Sequence, residues 1–188
     1  MSGGSNARRD AELAEFPPGD PEQDLGDPES VARAICLRLL TQRARSRAEL
    51  AEALRKRGVP DDSASRVLDR FVEVGLIDDA ALAASLAGAQ HQERGLARRA
   101  VAAKLRQRGL ADEVEGALSE IDRDSERERA RELVAKRRRA LAGLPAEVQV
   151  RRLVGLLARK GYPSGLSYSV VREALPGESG WDVDPLEG

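Results

Sequence analysis

Arginine and lysine are the residues of this chain whose types and spacing favour a particular chemistry. They concentrate on three segments, and these end at Gly58, Gly109 and Gly161. Guanidinium and ammonium groups bind phosphate oxygens and carboxylates, so a stripe of them favours a nucleic-acid backbone or an acidic protein surface as partner. The candidate contact residues are Arg55, Lys56, Arg57, Arg94, Arg98, Arg99, Lys104, Arg106, Arg108, Arg151, Arg152, Arg159 and Lys160. Cations also stabilise helix C-termini, but these segments carry more of them than end-capping requires, which favours a functional stripe.

Enzyme chemistry has little support in the residue inventory. The chain has one histidine and one cysteine, and no His, Cys or carboxylate set has metal-ligand spacing. We expect His91 on the surface, because Gln90 and Gln92 flank it, and Cys36 in the core among apolar neighbours. The pairs Asp61-Asp62 and Asp78-Asp79 fall at predicted helix starts, where carboxylates stabilise the helix dipole. The sequence therefore predicts a protein that is not an enzyme and has no cofactor or metal.

The elements that carry the basic residues form a repeat. The three glycines are 51 and 52 residues apart. Apolar residues recur eight and four positions before each glycine, at Leu50, Val101 and Leu153 and at Leu54, Leu105 and Leu157. Such a period indicates small units that bury their apolar faces against neighbours. Because Ala, Leu, Arg and Glu dominate, the prediction is an all-α protein of three tandem three-helix repeats, helix-turn-helix-like units forming an elongated, curved array.

Helix signals place the repeats at residues 28–75, 76–122 and 123–175. The first repeat opens on Asp27-Pro28, and its middle helix opens on a capping box of Ser46 and Glu49. We expect a second capping box at Ser125 and Glu128. The third helix of the second repeat is predicted over residues 114–121.

The net charge of −1 conceals a strong asymmetry along the chain. Residues 1–30 carry two arginines and eight acids, residues 176–188 carry four acids and no base, and residues 31–175 carry 29 bases and 20 acids. We expect acidic disordered tails at 1–27 and 176–188, and they could shield the basic body from nonspecific nucleic acid. A single cysteine excludes an intramolecular disulfide, and no apolar run is long enough to span a membrane. These features predict a cytoplasmic protein without a membrane partner. We also expect the protein to be a monomer.

Several motifs resemble the RecX family of regulatory proteins, which modulate the RecA recombinase. They are the sequence SRAEL at 46–50 leading to KRG at 56–58, GLIDD at 75–79, and RG at 94–95 and at 108–109. The resemblance covers about residues 31–175. One departure is Leu82-Ala83, where the family usually has an aromatic residue followed by alanine.

The resemblance implies tandem three-helix repeats that bind the RecA filament on single-stranded DNA and inhibit its ATPase, strand-exchange and coprotease activities. Aromatic residues are only 3% of the chain, too few for base stacking, so contacts with single- or double-stranded DNA are expected to be to the backbone. A helix-turn-helix regulator of transcription, with a preferred duplex sequence and a dimeric state, is the alternative.

Overall fold

A computed structural model of the chain describes residues 26–175, and this part is helical without a strand. Unit 1 contains α1 Pro28–Gln42, α2 Arg47–Arg55 and α3 Asp61–Glu73. Unit 2 contains α4 Asp79–Gly88, α5 Arg98–Gln107 and α6 Val114–Ala117, and a π-helical turn, Ala89–Glu93, follows α4. Unit 3 contains α7 Arg123–Arg138, α8 Ala146–Arg159 and α9 Ser164–Ala174, with a 3₁₀ turn, Arg139–Leu141, after α7. The predicted all-α class of three tandem three-helix repeats is confirmed. The predicted tails, including Trp181, lie outside the described residues except for Gly26 and Asp27.

Each unit has its own apolar core, built around its middle helix. All six residues of the predicted register are at most 1% exposed: Leu50, Leu54, Val101, Leu105, Leu153 and Leu157. Cys36 is also fully buried, as predicted, and burial raises the pKa of its thiol to about 11. The glycine register therefore identifies the side of each middle helix that faces a core.

Three details differ from the predictions. His91 is buried, not on the surface: it is 2% exposed, because the π-helical turn points its ring inward and Nδ1 lies 2.9 Å from the Leu96 carbonyl. Asp122, not Ser125, caps α7, since its Oδ1 accepts the N–H groups of Asp124 and Ser125. The predicted helix over 114–121 is only four residues long, and the Leu118 and Ile121 carbonyls accept hydrogen bonds from a side chain instead of continuing it.

The middle helices of neighbouring units meet end to end. At the first junction, the N-terminus of α2 lies against the glycine that follows α5: a Cβ on Gly109 would be 2.3 Å from the Ala48 Cβ. At the second junction, the N-terminus of α5 lies against the glycine that follows α8, where a Cβ on Gly161 would be 2.8 Å from the Ala100 Cβ. Only glycine fits at either place, because both have positive φ and no room for a side chain.

Polar contacts hold both junctions together. At the first, Ser46 Oγ donates to the Arg108 carbonyl at 2.7 Å, and the Asp79 carboxylate accepts the Arg47 N–H at 3.0 Å. At the second, the Ala97 N–H donates to the Lys160 carbonyl at 2.9 Å, and the buried Tyr162 hydroxyl donates to the Gly95 carbonyl at 3.2 Å. None of the helices in the described range is long and apolar enough to cross a membrane.

Candidate partner-binding surface

Only one candidate position is basic in all three repeats, the residue directly before each glycine. It is Arg57 in unit 1, Arg108 in unit 2 and Lys160 in unit 3. Arg108 donates from Nε and Nη2 to the two Glu49 oxygens at 2.9 and 2.6 Å, across the first junction. Lys160 Nζ donates to the Arg94 carbonyl across the second. Two of the three recurrent cations therefore join units and do not form a free stripe.

The Arg108–Glu49 pair is largely shielded from solvent, with side chains 23% and 21% exposed. Burial alone would raise the pKa of Glu49, but the hydrogen bonds from Arg108 and from the Ser46 N–H, with the nearby charges of Arg108 and Arg43, lower it below its usual value. Glu49 is thus both half of the α2 capping box and an anchor of the first junction.

Arg98 also has a structural role. Its Nη1 donates to the carbonyls of Leu118 and Ile121, at 2.7 Å for the latter, and so closes the end of unit 2. Its backbone N–H donates to Glu126 Oε1 of α7 at 2.9 Å. The side chain is therefore committed to intramolecular contacts, as are those of Arg108 and Lys160.

The basic residues at the end of α2 are exposed, and acids balance part of their charge. Arg55 and Lys56 both contact Glu52, at 2.8 and 3.5 Å. The hydrogen bond and charge of Glu52 raise the pKa of Arg55, and those of Arg55 and Lys56 lower the pKa of Glu52. Among the described residues, Arg57 Nη1 donates only to the carbonyl of Ala53 in α2. Exposed pairs of this kind contribute little to stability and exchange readily for another anion.

The surface of unit 2 combines both charges. Arg99 and Arg106 line an open groove together with Asp112, Glu115 and Glu126. Lys104 lies elsewhere, beside a smaller cavity of about 140 Å³ next to Leu86 and Gln90. The structure therefore does not bring the thirteen candidates into one site.

Unit 3 carries a different arrangement, a groove of about 550 Å³ lined by four arginines and one leucine. We call it the arginine groove: Arg137, Arg151, Arg152, Leu156 and Arg159. Arg137 comes from the end of α7 and the other residues from α8. No acidic residue lines the groove, and no described residue forms an ion pair or hydrogen bond with the four guanidinium groups. Such an uncompensated cluster is suited to bind phosphates or carboxylates.

Three of the four arginines were candidates from the sequence, and Arg137 was not. The signal for it was the run of four basic residues at 136–139, which the repeat register did not include because it lies on the first helix of its unit. Only the packing of α7 beside α8 brings Arg137 to the groove. Elsewhere in the described range, no group of three His, Cys, Asp or Glu residues is placed to hold a metal ion.

Comparison with known proteins decides the family. The family models for the first, second and third three-helix domains of RecX match residues 32–71, 78–114 and 124–174. The chain belongs to the RecX family. The RecX regulatory protein of Streptomyces coelicolor is 49% identical over 185 residues, which are 98% of this chain and 94% of that protein. The RecX protein of Thermobifida fusca is 53% identical over 161 residues, 84% of this chain and 86% of that protein.

Solved RecX structures share the fold. The crystal structure of RecX from Lactobacillus salivarius matches with a TM-score of 0.71, at 19% identity over 78% of this chain and 96% of that chain. A second RecX crystal structure matches with a TM-score of 0.66 at 22% identity, over 78% of this chain and 72% of that chain. The resemblance inferred from the motifs is thus confirmed, and the RecX relatives are named regulatory proteins rather than enzymes.

Proposed function

We propose that this protein is a non-enzymatic regulator that binds the RecA filament on single-stranded DNA and inhibits its ATPase, strand-exchange and coprotease activities. The observation that carries the proposal is the arginine groove of unit 3, four guanidinium groups without an acidic partner among the described residues. A filament on DNA offers phosphates and carboxylates as partners for such a groove. Inhibition by binding requires no catalytic residue.

The tandem arrangement supports the same proposal. The exposed cations Arg55, Lys56, Arg57, Arg94, Arg99, Lys104 and Arg106 on units 1 and 2 would add weaker contacts to those of the groove. Because the units are joined, each later contact forms at a high effective concentration, and several weak contacts combine into firm binding. We place this action in the cytoplasm and assign it to a monomer, whose DNA contacts are with the backbone of single or double strands.

The helix-turn-helix alternative has weaker support. A recognition helix inserts into the major groove, and its N-terminal residues contact the bases. The N-termini of α2 and α5 are instead occupied by the junctions. The closing helix α6 has four residues, and α3 begins with Asp61 and Asp62, which phosphates would repel.

The test is RecA ATPase on single-stranded DNA at a substoichiometric amount of this protein. The groove variant carries Arg→Gln at 137, 151, 152 and 159. The matched control removes the same charge from four arginines that have acidic partners and are not contact candidates, Arg47, Arg66, Arg70 and Arg131. We expect the wild type and the control to inhibit and the groove variant to lose most of its inhibition. Full inhibition by a folded groove variant would contradict the assignment, and no inhibition by the wild type would contradict the function.

Salt dependence separates the two kinds of partner. The logarithm of the affinity for single-stranded DNA decreases linearly with the logarithm of the salt concentration. If all four arginines contact phosphates, this decrease should be less steep in the groove variant, by roughly 3 in the slope. An unchanged slope together with lost inhibition would assign the groove to RecA carboxylates instead. Anisotropy on random and selected duplexes tests the alternative, since strong sequence preference would favour a transcription regulator.

A further inference from the structure

The end of unit 1 at Gly58 has the geometry of a junction but no described partner. Gly58 and Gly109 both have φ of 72°. The N–H after each glycine returns to an equivalent leucine carbonyl, from Val59 to Leu54 at 3.2 Å and from Leu110 to Leu105 at 3.0 Å. Yet a Cβ on Gly58 would meet no described atom within 4 Å. The site that is filled after α5 and after α8 is open after α2.

Both filled sites show what such an end accepts. Each filled end packs against the N-terminal turn of a helix, and an alanine of that turn lies against the glycine. Ala48 lies against Gly109, and Ala100 lies against Gly161. Each also accepts a hydrogen bond at the carbonyl before the glycine, from Ser46 Oγ or from the Ala97 N–H. At the first junction Glu49 adds an ion pair with Arg108.

Unit 1 offers the same groups at its open end. Arg57 stands where Arg108 stands and is exposed, and no described residue donates to its carbonyl. Arg57 has no acidic partner among the described residues, whereas Arg108 has Glu49. A suitable occupant would therefore supply an alanine followed by an acid in a helical turn.

The N-terminal segment contains this sequence. Residues 48–52, which make the α2 side of the first junction, read Ala-Glu-Leu-Ala-Glu, and residues 11–15 read Ala-Glu-Leu-Ala-Glu as well. Ala11 corresponds to Ala48 and Glu12 to Glu49. The segment is part of a stretch with eight acids and two arginines over residues 1–30, so its charge is opposite to that of the end of α2.

The start of the described chain lies near the same end of unit 1. Glu29 in the first turn of α1 pairs with Arg66 of α3 at 2.5 Å. Helix α3 begins at Asp61, directly after Gly58-Val59-Pro60, and Arg66 lies about 8 Å along it at 1.5 Å per residue. Residues 16–27 connect the segment to α1, and twelve residues span up to about 40 Å when extended. The connection is long enough to bring the segment to Gly58.

We propose that residues 9–15 dock on the open end of unit 1, with Ala11 on Gly58 and Glu12 paired with Arg57. The contact copies the one that Ala48 and Glu49 make with Gly109 and Arg108. Because the segment is tethered, its effective concentration is high, and a contact much weaker than a junction suffices. The docked segment would cover the cationic end of α2, and this proposal does not depend on the identity of the protein's partner.

Paramagnetic broadening in the full-length chain tests the proposal. The substitution Asn6→Cys introduces a single accessible thiol, because Cys36 is buried, and a spin label is attached to this thiol. We expect the Gly58 amide signal to lose most of its intensity, while those of Gly109 and Gly161 keep theirs. Arg57→Glu should restore the Gly58 signal, and adding Glu12→Arg should broaden it again. Arg70→Glu is the control, because Arg70 is an exposed arginine of the neighbouring helix, and it should leave the broadening in place.

Three outcomes would overturn the proposal. Absence of selective broadening at Gly58 would mean that the segment does not dock there. Broadening at Gly109 instead would mean that it competes with α2 for the first junction. A mixture of isotope-labelled chain and spin-labelled, isotopically unlabelled chain should show no broadening. Broadening of the Gly58 signal in that mixture would mean that the occupant comes from a second copy.

Discussion

Gly109→Ala should weaken the first junction, and the structure allows its effect to be separated from backbone strain. Gly75, at the end of α3, has the same φ of 72°, but a Cβ there would meet no described atom within 4 Å. Gly75→Ala thus measures how much an alanine in this backbone conformation lowers the free energy of unfolding, which is about 1–2 kcal/mol. At Gly109 the new Cβ would also lie 2.3 Å from the Ala48 Cβ, so α2 and α5 must move apart. Overpacking of this kind adds about 1–3 kcal/mol, for a total of about 2–5 kcal/mol.

Chemical denaturation of both variants, followed by circular dichroism, measures the difference. Because each unit has its own core, unfolding need not be two-state, and native-state hydrogen exchange of the unit 1 amides is the second measurement. Ala48→Gly removes the opposing Cβ, so a double-mutant cycle with Gly109→Ala should show a favourable coupling of at least about 1 kcal/mol. The reasoning would be refuted if Gly75→Ala and Gly109→Ala lowered the free energy of unfolding equally, or if the coupling energy were near zero.

Three further predictions concern single side chains. Glu49→Gln should lower the free energy of unfolding at pH 7 by about 1–3 kcal/mol, because it removes a charged hydrogen-bonded pair with Arg108. The lowered pKa of Glu49 stabilises the wild type above the ordinary carboxyl pKa of about 4.3, and this contribution should disappear as the pH falls through the folded value, so the two proteins should converge in denaturation at low pH. Tyr162→Phe should lower the free energy of unfolding by about 1 kcal/mol, because it removes the hydrogen bond to the Gly95 carbonyl. Burial, followed by the charge of Glu126, raises the pKa of Tyr162 from 10.0 to about 12. The free energy of unfolding of the wild type should therefore decrease between pH 10 and about 12, and the Phe variant should not show this decrease. Cys36, with its thiol pKa raised by burial to about 11, should react with a thiol reagent only as fast as unit 1 opens, and a rapid reaction with the native protein would contradict its burial.

Local chemistry made much of the fold predictable. The register of Leu50 and Leu54 with their equivalents identified the buried faces, since a helix with period 3.6 places residues four apart on one side. The capping box of Ser46 and Glu49 formed as predicted, because its two hydrogen bonds lie within four residues. The family motifs were readable for the same reason, as they lie in short contiguous stretches.

Predictions were wrong where a competing group was close in sequence, where it came from another helix of the same unit, or where the backbone departed from α-helical geometry. Ser125 had capping-box spacing, but Asp122 lies three residues earlier and its carboxylate accepts both N–H groups. The third helix of unit 2 ends early because Arg98, about twenty residues away in sequence, takes its carbonyls. His91 is buried through a π-helical turn, which the polar neighbours of the residue did not indicate.

The sequence by itself determined most of the helices, the three cores and the glycines at which the middle helices end, since these depend on side-chain periodicity and on backbone conformations that glycine alone adopts easily. The tertiary structure decided what the arginines do. Arg108 looked equivalent to Arg57, but the packing of unit 1 on unit 2 gives it Glu49 as a partner and leaves Arg57 exposed. Arg137 became part of the arginine groove only because α7 packs beside α8. A long, flexible cation takes its role from whichever anion or carbonyl lies within reach, and that depends on contacts between residues far apart in the chain.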